Sequence, residues 1–200
     1  MLNIILLLIL GYLLGSIPFA VVISRIRGKN ILEVGSKNPG AGNVFRNVGK
    51  IEGVLCWVLD AAKGAGAVAL ADKIFAIPMF WVVMAGVAAV IGHCWSCFLK
   101  FKGGKGASTT AGILFYIVPK IAAVAILFFF LLQIKKLRQW WMILIAIGVF
   151  WYLGWLFYGD VGRWLLWAML ILVGLGVIIN IPTIREFIHE NSKCKYQKSK

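Results

Sequence analysis

Residues 2–29 read LNIILLLILGYLLGSIPFAVVISRIRGK, an apolar run closed by a basic cluster. No Lys or Arg precedes the apolar part, which spans about Asn3 to Ser24. A secretory leader would carry its positive charge in front of the run and small residues at a cleavage site behind it. Here Arg25, Arg27 and Lys29 follow instead. Basic loops stay on the cytoplasmic side, so this order predicts an amino terminus outside and the loop from Arg25 to Lys50 inside.

The rest of the chain fits a lipid solvent. Of 200 residues 62% are hydrophobic and 14% charged, against about 25% charged in a soluble domain. Runs such as Ile4 to Leu10 and Val124 to Leu132 extend the pattern. The net charge of +14 would suit nucleic acid, but in a membrane protein it marks loops facing anionic lipid, and no nucleic-acid partner is expected. The expected fold is an all-α integral membrane protein, a single polytopic domain over 1–200.

Further spans are predicted at 51–71, 78–99, 140–158 and 163–181. The stretch 107–134 is ambiguous. One helix there would rise about 42 Å, well beyond the roughly 30 Å hydrocarbon core, and would put Lys135, Lys136, Arg138 and the basic tail 185–200 outside. Division at Pro119 gives 107–118 and 119–134 instead. Seven transmembrane or partly inserted helices result, with the carboxyl terminus inside. All of the 21 basic residues then lie inside except Lys63, Lys73, Lys120 and Arg163, as the positive-inside bias requires. The short helix 107–118 is expected to be partly buried, its amino end near the cytoplasmic interface.

Two inside loops have the chemistry of anion cradles. The first, Gly35-Ser36-Lys37-Asn38-Pro39-Gly40-Ala41-Gly42-Asn43, leads into Val44-Phe45-Arg46. Its glycines and proline enforce a tight loop whose backbone N–H groups can converge on an anion. Ser36, Asn38 and Asn43 add neutral donors beside Gly40, and Arg46 adds a fork for bidentate phosphate binding. A plain connector would share this composition, because turns and phosphate cradles use the same residues. The second, Lys100-Phe101-Lys102-Gly103-Gly104-Lys105-Gly106, runs into Ala107-Ser108-Thr109-Thr110. It is not a Walker A motif, since Gly106 follows the Lys and Leu99 stands where the first Gly would be. Its glycines still bring amides to a helix start whose dipole favours an anion, with Lys102 and Lys105 at hand. A topology anchor needs no such glycines.

Asp60 and Lys63 share a helical face and can pair. His93, closing the third span, is a candidate base or an interfacial hydrogen-bonding group. Cys94 and Cys97 form one CxxC, but Cys56 and Cys194 supply no second pair, so no metal is expected. Trp140, Trp141, Trp155 and Trp164 read as an aromatic belt.

The motif Gly35–Val44 with Arg46, the pair Gly92-His93 followed by Phe98 and Phe101–Gly106, and the set Asp60, Lys63 and Gly64 together resemble the acyl-phosphate-dependent glycerol-3-phosphate acyltransferases of bacteria, the PlsY family. The resemblance runs from the first span to about Thr110. It implies seven membrane helices, a site facing the cytoplasm across the bacterial inner membrane, and transfer of a fatty acyl group from acyl phosphate to glycerol 3-phosphate, giving lysophosphatidic acid. No cofactor is implied. A partner in function is an enzyme that forms acyl phosphate. By the same resemblance Ser36, Arg46, Lys105 and His93 are the catalytic candidates. Asn38, Gly40, Asn43, Lys102, Gly103, Gly104, Gly106 and Ser108 are the phosphate-binding candidates.

The chain departs from the family pattern at several places. Gly42 stands for Thr, Lys37 for Gly and Ser96 for Pro. Asn180 and Thr183 stand where a His and an Asn precede Ile-Arg, and Gln139 falls near an expected Ser. Two other readings therefore stay open: a family member with a changed acceptor or lost activity, and a transporter of phosphorylated anions. Against the transporter, both glycine loops lie in the first 110 residues rather than in both halves.

Overall fold

The structure, a computed structural model, describes residues 2–120, 122, 123 and 156. Among them every regular element is helical, and the nearest approach to a strand is a single antiparallel bridge between Ser96 and Lys102. The sequence-based helices 140–158 and 163–181, all but the first positions of 119–134, and the tail 185–200 lie outside the described residues.

The first apolar run is not one helix. It forms α1 (Leu2–Ser16) and α2 (Phe19–Ile26), with Ile17 and Pro18 between them. Proline has no N–H to donate and drives the residue before it out of the helical region, so the expected continuous 3–24 helix divides there. The two pieces still make one apolar stretch, Leu2–Ile26, long enough to cross a membrane. A break inside such a stretch releases carbonyls that lipid cannot satisfy. Both are taken by distant parts of the chain: Ser96 Oγ donates to the Ser16 carbonyl at 2.6 Å, and Lys63 Nζ to that of Ile17 at 2.9 Å.

After the first loop come α3 (Ala41–Asn47) and α4 (Lys50–Ala69), the latter extended by a π-helical turn, Leu70–Ile74. Together Lys50–Ile74 is the second stretch long and apolar enough to cross. Helix α5 (Met79–Cys94) starts directly after Pro78 and is followed by a single 3₁₀ turn, Cys97–Leu99. Helix α6 (Ala107–Ile117) stops before Val118, the residue preceding Pro119, where the helical conformation is disfavoured.

Close contacts fix the relative directions. Gly11 and Gly15 of α1, a small-xxx-small pair, lie against the backbone carbonyls of Ala85 and Ala89 of α5, and Gly92 lies against that of Tyr12. Positions rise together along both helices, so α1 and α5 run parallel with their backbones in contact, as small residues permit between helices in lipid. Helix α4 runs the other way. Leu7 shares an apolar cluster with Val68 and Ala71, whereas the Ile17 carbonyl meets Lys63. Parallel α1 and α5 with antiparallel α4 bring three chain ends to one end of the core. These are the exit of α1 into α2 and the first loop, the start of α4, and the exit of α5 into the second loop.

Candidate active site

The first loop is organised around Asn43. This residue is 2% exposed, and its amide points inward. Nδ2 donates to the carbonyls of Ile31 at 3.3 Å, Val34 at 3.0 Å and Asn38 at 3.1 Å, while Oδ1 accepts from Ser36 N at 3.2 Å and Asn47 Nδ2 at 2.8 Å. An amide has two N–H groups, so its donors are already shared among three loop carbonyls. Asn43 therefore shapes the loop from beneath, where the sequence had suggested a donor aimed at the ligand. Gly35 adopts a left-handed φ of +60° directly over this knot, where a Cβ would collide with both Asn43 and Asn47.

Above the knot, Ser36 and Lys37 are exposed and Asn38 is half-buried with its amide near Gly40. Lys37 carries a φ of 56°, the left-handed region that glycine occupies freely. That conformation accounts for the glycine of the family pattern at this place. Helix α3 seats on α4 where Phe45 meets Gly53. Exposed Arg46 folds back toward the start of α3, its Nη1 3.5 Å from where a Cβ on Gly42 would sit.

The second loop is built on the end of α5. Tyr12 OH donates to the Trp95 carbonyl at 2.8 Å, and the hydroxyl of Ser96 is buried between the Ser16 carbonyl and the Phe98 N–H. The Ser96 carbonyl accepts from Leu99 N at 3.1 Å and Phe101 N at 2.9 Å. The chain then returns to His93, whose carbonyl accepts from Gly104 N at 3.0 Å. Gly103 lies on the carbonyls of His93 and Cys94, and Gly104 on the Nε2 face of the His93 ring. No side chain fits at either place. Gly106, at φ +78°, turns into α6, with Lys102 and Lys105 exposed on either side of the buried Gly104 and Ser108 half-buried in the first turn of α6.

His93 is 7% exposed. Its Nδ1 lies 3.6 Å from Asp60 Oδ1, and Lys63 Nζ pairs with the same oxygen at 2.7 Å. Spacing alone foretold the Asp60–Lys63 pair; nothing in it foretold the reach from Asp60 to His93, which depends on how α4 and α5 pack. Sequence reasoning also missed Ser96 as the anchor of the second loop. Its signal was the serine standing where the family pattern has proline. Among the described residues no group of three His, Cys, Asp or Glu is placed to hold a metal ion. Cys94 is buried in the apolar core with Val90.

Leu99, at the end of the 3₁₀ turn that leads into the second loop, packs against the cluster of Ala20, Val21, Ile23, Ile31, Ala41, Val44 and Cys56, which includes residues flanking the first loop. Two basic, glycine-bearing loops thus lie at one end of a helical core, a surface suited to phosphoryl groups.

Known proteins share this pattern. A family model described as glycerol-3-phosphate acyltransferase matches residues 5–189. The glycerol-3-phosphate acyltransferase of Aquifex aeolicus is 44% identical over 116 residues, 58% of this chain and 60% of the relative. That of Rubrobacter xylanophilus is 40% identical over 143 residues, 71% of this chain and 65% of the relative. The matched stretches thus span less than two thirds of these relatives' own lengths. Among solved structures, PlsY, an integral membrane glycerol 3-phosphate acyltransferase in its glycerol 3-phosphate form, superposes with a TM-score of 0.79 at 31% identity, covering 94% of this chain and 93% of that one. Its lysophosphatidic acid form superposes with a TM-score of 0.77. With a model matched over nearly its whole length, on a helical core whose paired loops carry the family's motifs, the chain belongs to the glycerol-3-phosphate acyltransferase family.

Proposed function

We propose that this chain is a membrane acyltransferase that moves a fatty acyl group from acyl phosphate to the 1-hydroxyl of glycerol 3-phosphate, yielding lysophosphatidic acid and inorganic phosphate for phospholipid synthesis. The observation that carries the reading is the seating of both glycine loops on one end of the α1–α4–α5 core, with Leu99 ahead of the second loop packed on the cluster that flanks the first. Each substrate brings a phosphoryl group, and one brings an acyl chain that lipid can hold. The relatives' names and the ligands of the PlsY structures support glycerol 3-phosphate and its acylated product. Acyl phosphate as donor, and a partner enzyme that forms it, rest on the family resemblance.

An acyl phosphate is already activated, so the site has mainly to position and to stabilise charge. Ser36, Arg46 and Lys105 hold phosphoryl oxygens and the charge that develops on the acyl carbonyl, with His93 beside the second loop. Asn38, Gly40, Lys102, Gly103, Gly104, Gly106 and Ser108 complete the two cradles, and Asn43 keeps the first one in shape. No cofactor enters. The remaining helices make seven in all, the amino terminus outside and the carboxyl terminus inside, with the site facing the cytoplasm across the bacterial inner membrane.

The experiment gives purified protein in lipid palmitoyl phosphate and glycerol 3-phosphate, and follows lysophosphatidate and inorganic phosphate. Product is expected, absent in Arg46→Ala and sharply reduced in Lys105→Ala. No turnover across several acyl phosphates refutes the reading. A tag after Lys200 reachable from the periplasm refutes the topology.

A further inference from the structure

His93 is more constrained than a base candidate at a helix end. Its Nδ1 is buried and makes no hydrogen bond of ordinary length, and Asp60 Oδ1 lies 3.6 Å away. Asp60 is 1% exposed. Besides His93 it faces Lys63 Nζ at 2.7 Å and Cys56 Sγ, which donates to Oδ2 at 3.6 Å. A bare Nδ1 would turn its lone pair on a carboxylate, which is repulsive; a protonated Nδ1 meets it favourably. A proton on Nδ1 is the arrangement that this carboxylate favours.

The other nitrogen faces the loop. A Cβ on Gly104 would collide with His93 Nε2, so that atom adjoins the glycine backbone. The Gly104 N–H is spent on the His93 carbonyl at 3.0 Å. A bare imidazole nitrogen accepts a hydroxyl proton in a hydrogen bond and repels a phosphoryl oxygen. We propose, resting on the acyl-transfer reading above, that Asp60 is a positioning residue. It fixes His93 as the Nδ1–H tautomer and leaves Nε2 at the floor of the second loop to hold the acyl acceptor's hydroxyl. Lys63 pairs with Asp60 at 2.7 Å while it donates to the carbonyl of Ile17 at 2.9 Å. The cradle then distinguishes the end of the acceptor that must react from the end that carries phosphate.

The test uses the full chain in lipid nanodiscs with ¹⁵N-labelled histidine. The sequence holds two histidines, and His189→Asn removes the other signal. The wild type is expected to show a protonated Nδ1 and a bare Nε2. In Asp60→Asn the side-chain amide can donate to Nδ1, so the proton is expected to move to Nε2. The kcat/KM for glycerol 3-phosphate then falls about tenfold or more, the effect of one lost hydrogen bond at a desolvated site, while KM for acyl phosphate stays within about twofold. A protonated Nε2 in the wild type overturns the proposal. So does a folded Asp60→Asn that keeps the wild-type kcat/KM for glycerol 3-phosphate. Should that variant fail to fold, the wild-type spectrum still decides the tautomer. A wild type with no acyl transfer at all strikes the functional reading, and the spectrum then separates that failure from one at Asp60.

Discussion

Replacing Lys63 by Met is expected to destabilise the fold far more than removing both charges of its pair. Asp60 and Lys63 are joined at 2.7 Å with side chains 2% and 3% exposed. In Lys63→Met the carboxylate keeps only the longer contacts to His93 and Cys56, and the Ile17 carbonyl loses the shorter of its two donors, keeping Phe19 N at 3.2 Å. Orphaning one member of a buried ion pair costs about 3–5 kcal/mol, a large part of a total stability of about 5–15 kcal/mol. In the double variant Asp60→Asn/Lys63→Met no charge is stranded, and the remaining loss is the Lys63 hydrogen bond to the Ile17 carbonyl, which still accepts from Phe19 N at 3.2 Å; that loss is about 1–3 kcal/mol. The double variant should therefore be more stable than Lys63→Met by roughly 2 kcal/mol, against the sum of the single effects. Unfolding by denaturing detergent in mixed micelles, followed by the fluorescence of the nine tryptophans, measures all four members of the cycle. Losses that add to within about 0.5 kcal/mol would show the two groups to be independent and would refute the reasoning.

Asn43→Asp keeps an acceptor for Ser36 N but loses the donors to Ile31, Val34 and Asn38. It is expected to cost about 1–3 kcal/mol, nearly as much as Asn43→Ala, in the same unfolding assay. Gly104→Ala drives a methyl into the His93 ring and should lower kcat by about 100-fold or more, the scale of an ångström's misplacement at a site, as read by phosphate release. Arg27 and Glu52 pair at 2.6 Å with the Arg side chain 62% exposed. Arg27→Gln should therefore leave the unfolding midpoint unchanged in roughly 1 M salt, where such surface charges are screened.

The helical class was legible because uninterrupted apolar runs have few other solutions, and the two loops because glycine beside lysine has a physical meaning at a helix start. Pro18 was an available signal for the divided first helix, yet hydropathy alone carried the span across it. The Gly11–Gly15 spacing likewise stood in the sequence, but its partner, Ala85 and Ala89, could be known only from packing. Asn43 illustrates the limit most sharply. A polar residue in a glycine loop looks the same whether it faces ligand or backbone, and only the closure of the loop decides. The same holds for Asp60: its neighbour three residues on is set by helix geometry, whereas its approach to His93 is set by two helices at once.

The parallel contact of α1 with α5 also bears on how the chain is made. Ser16 finds its hydroxyl donor 80 residues further along, and Tyr12 its acceptor 83 residues on. During synthesis α1 must wait in the bilayer, its glycine seam and opened backbone turn provisionally served by lipid, water or the insertion machinery, until α5 arrives. A nascent chain that ends before Met79 lacks the partners of both the glycine seam and the Ser16 carbonyl.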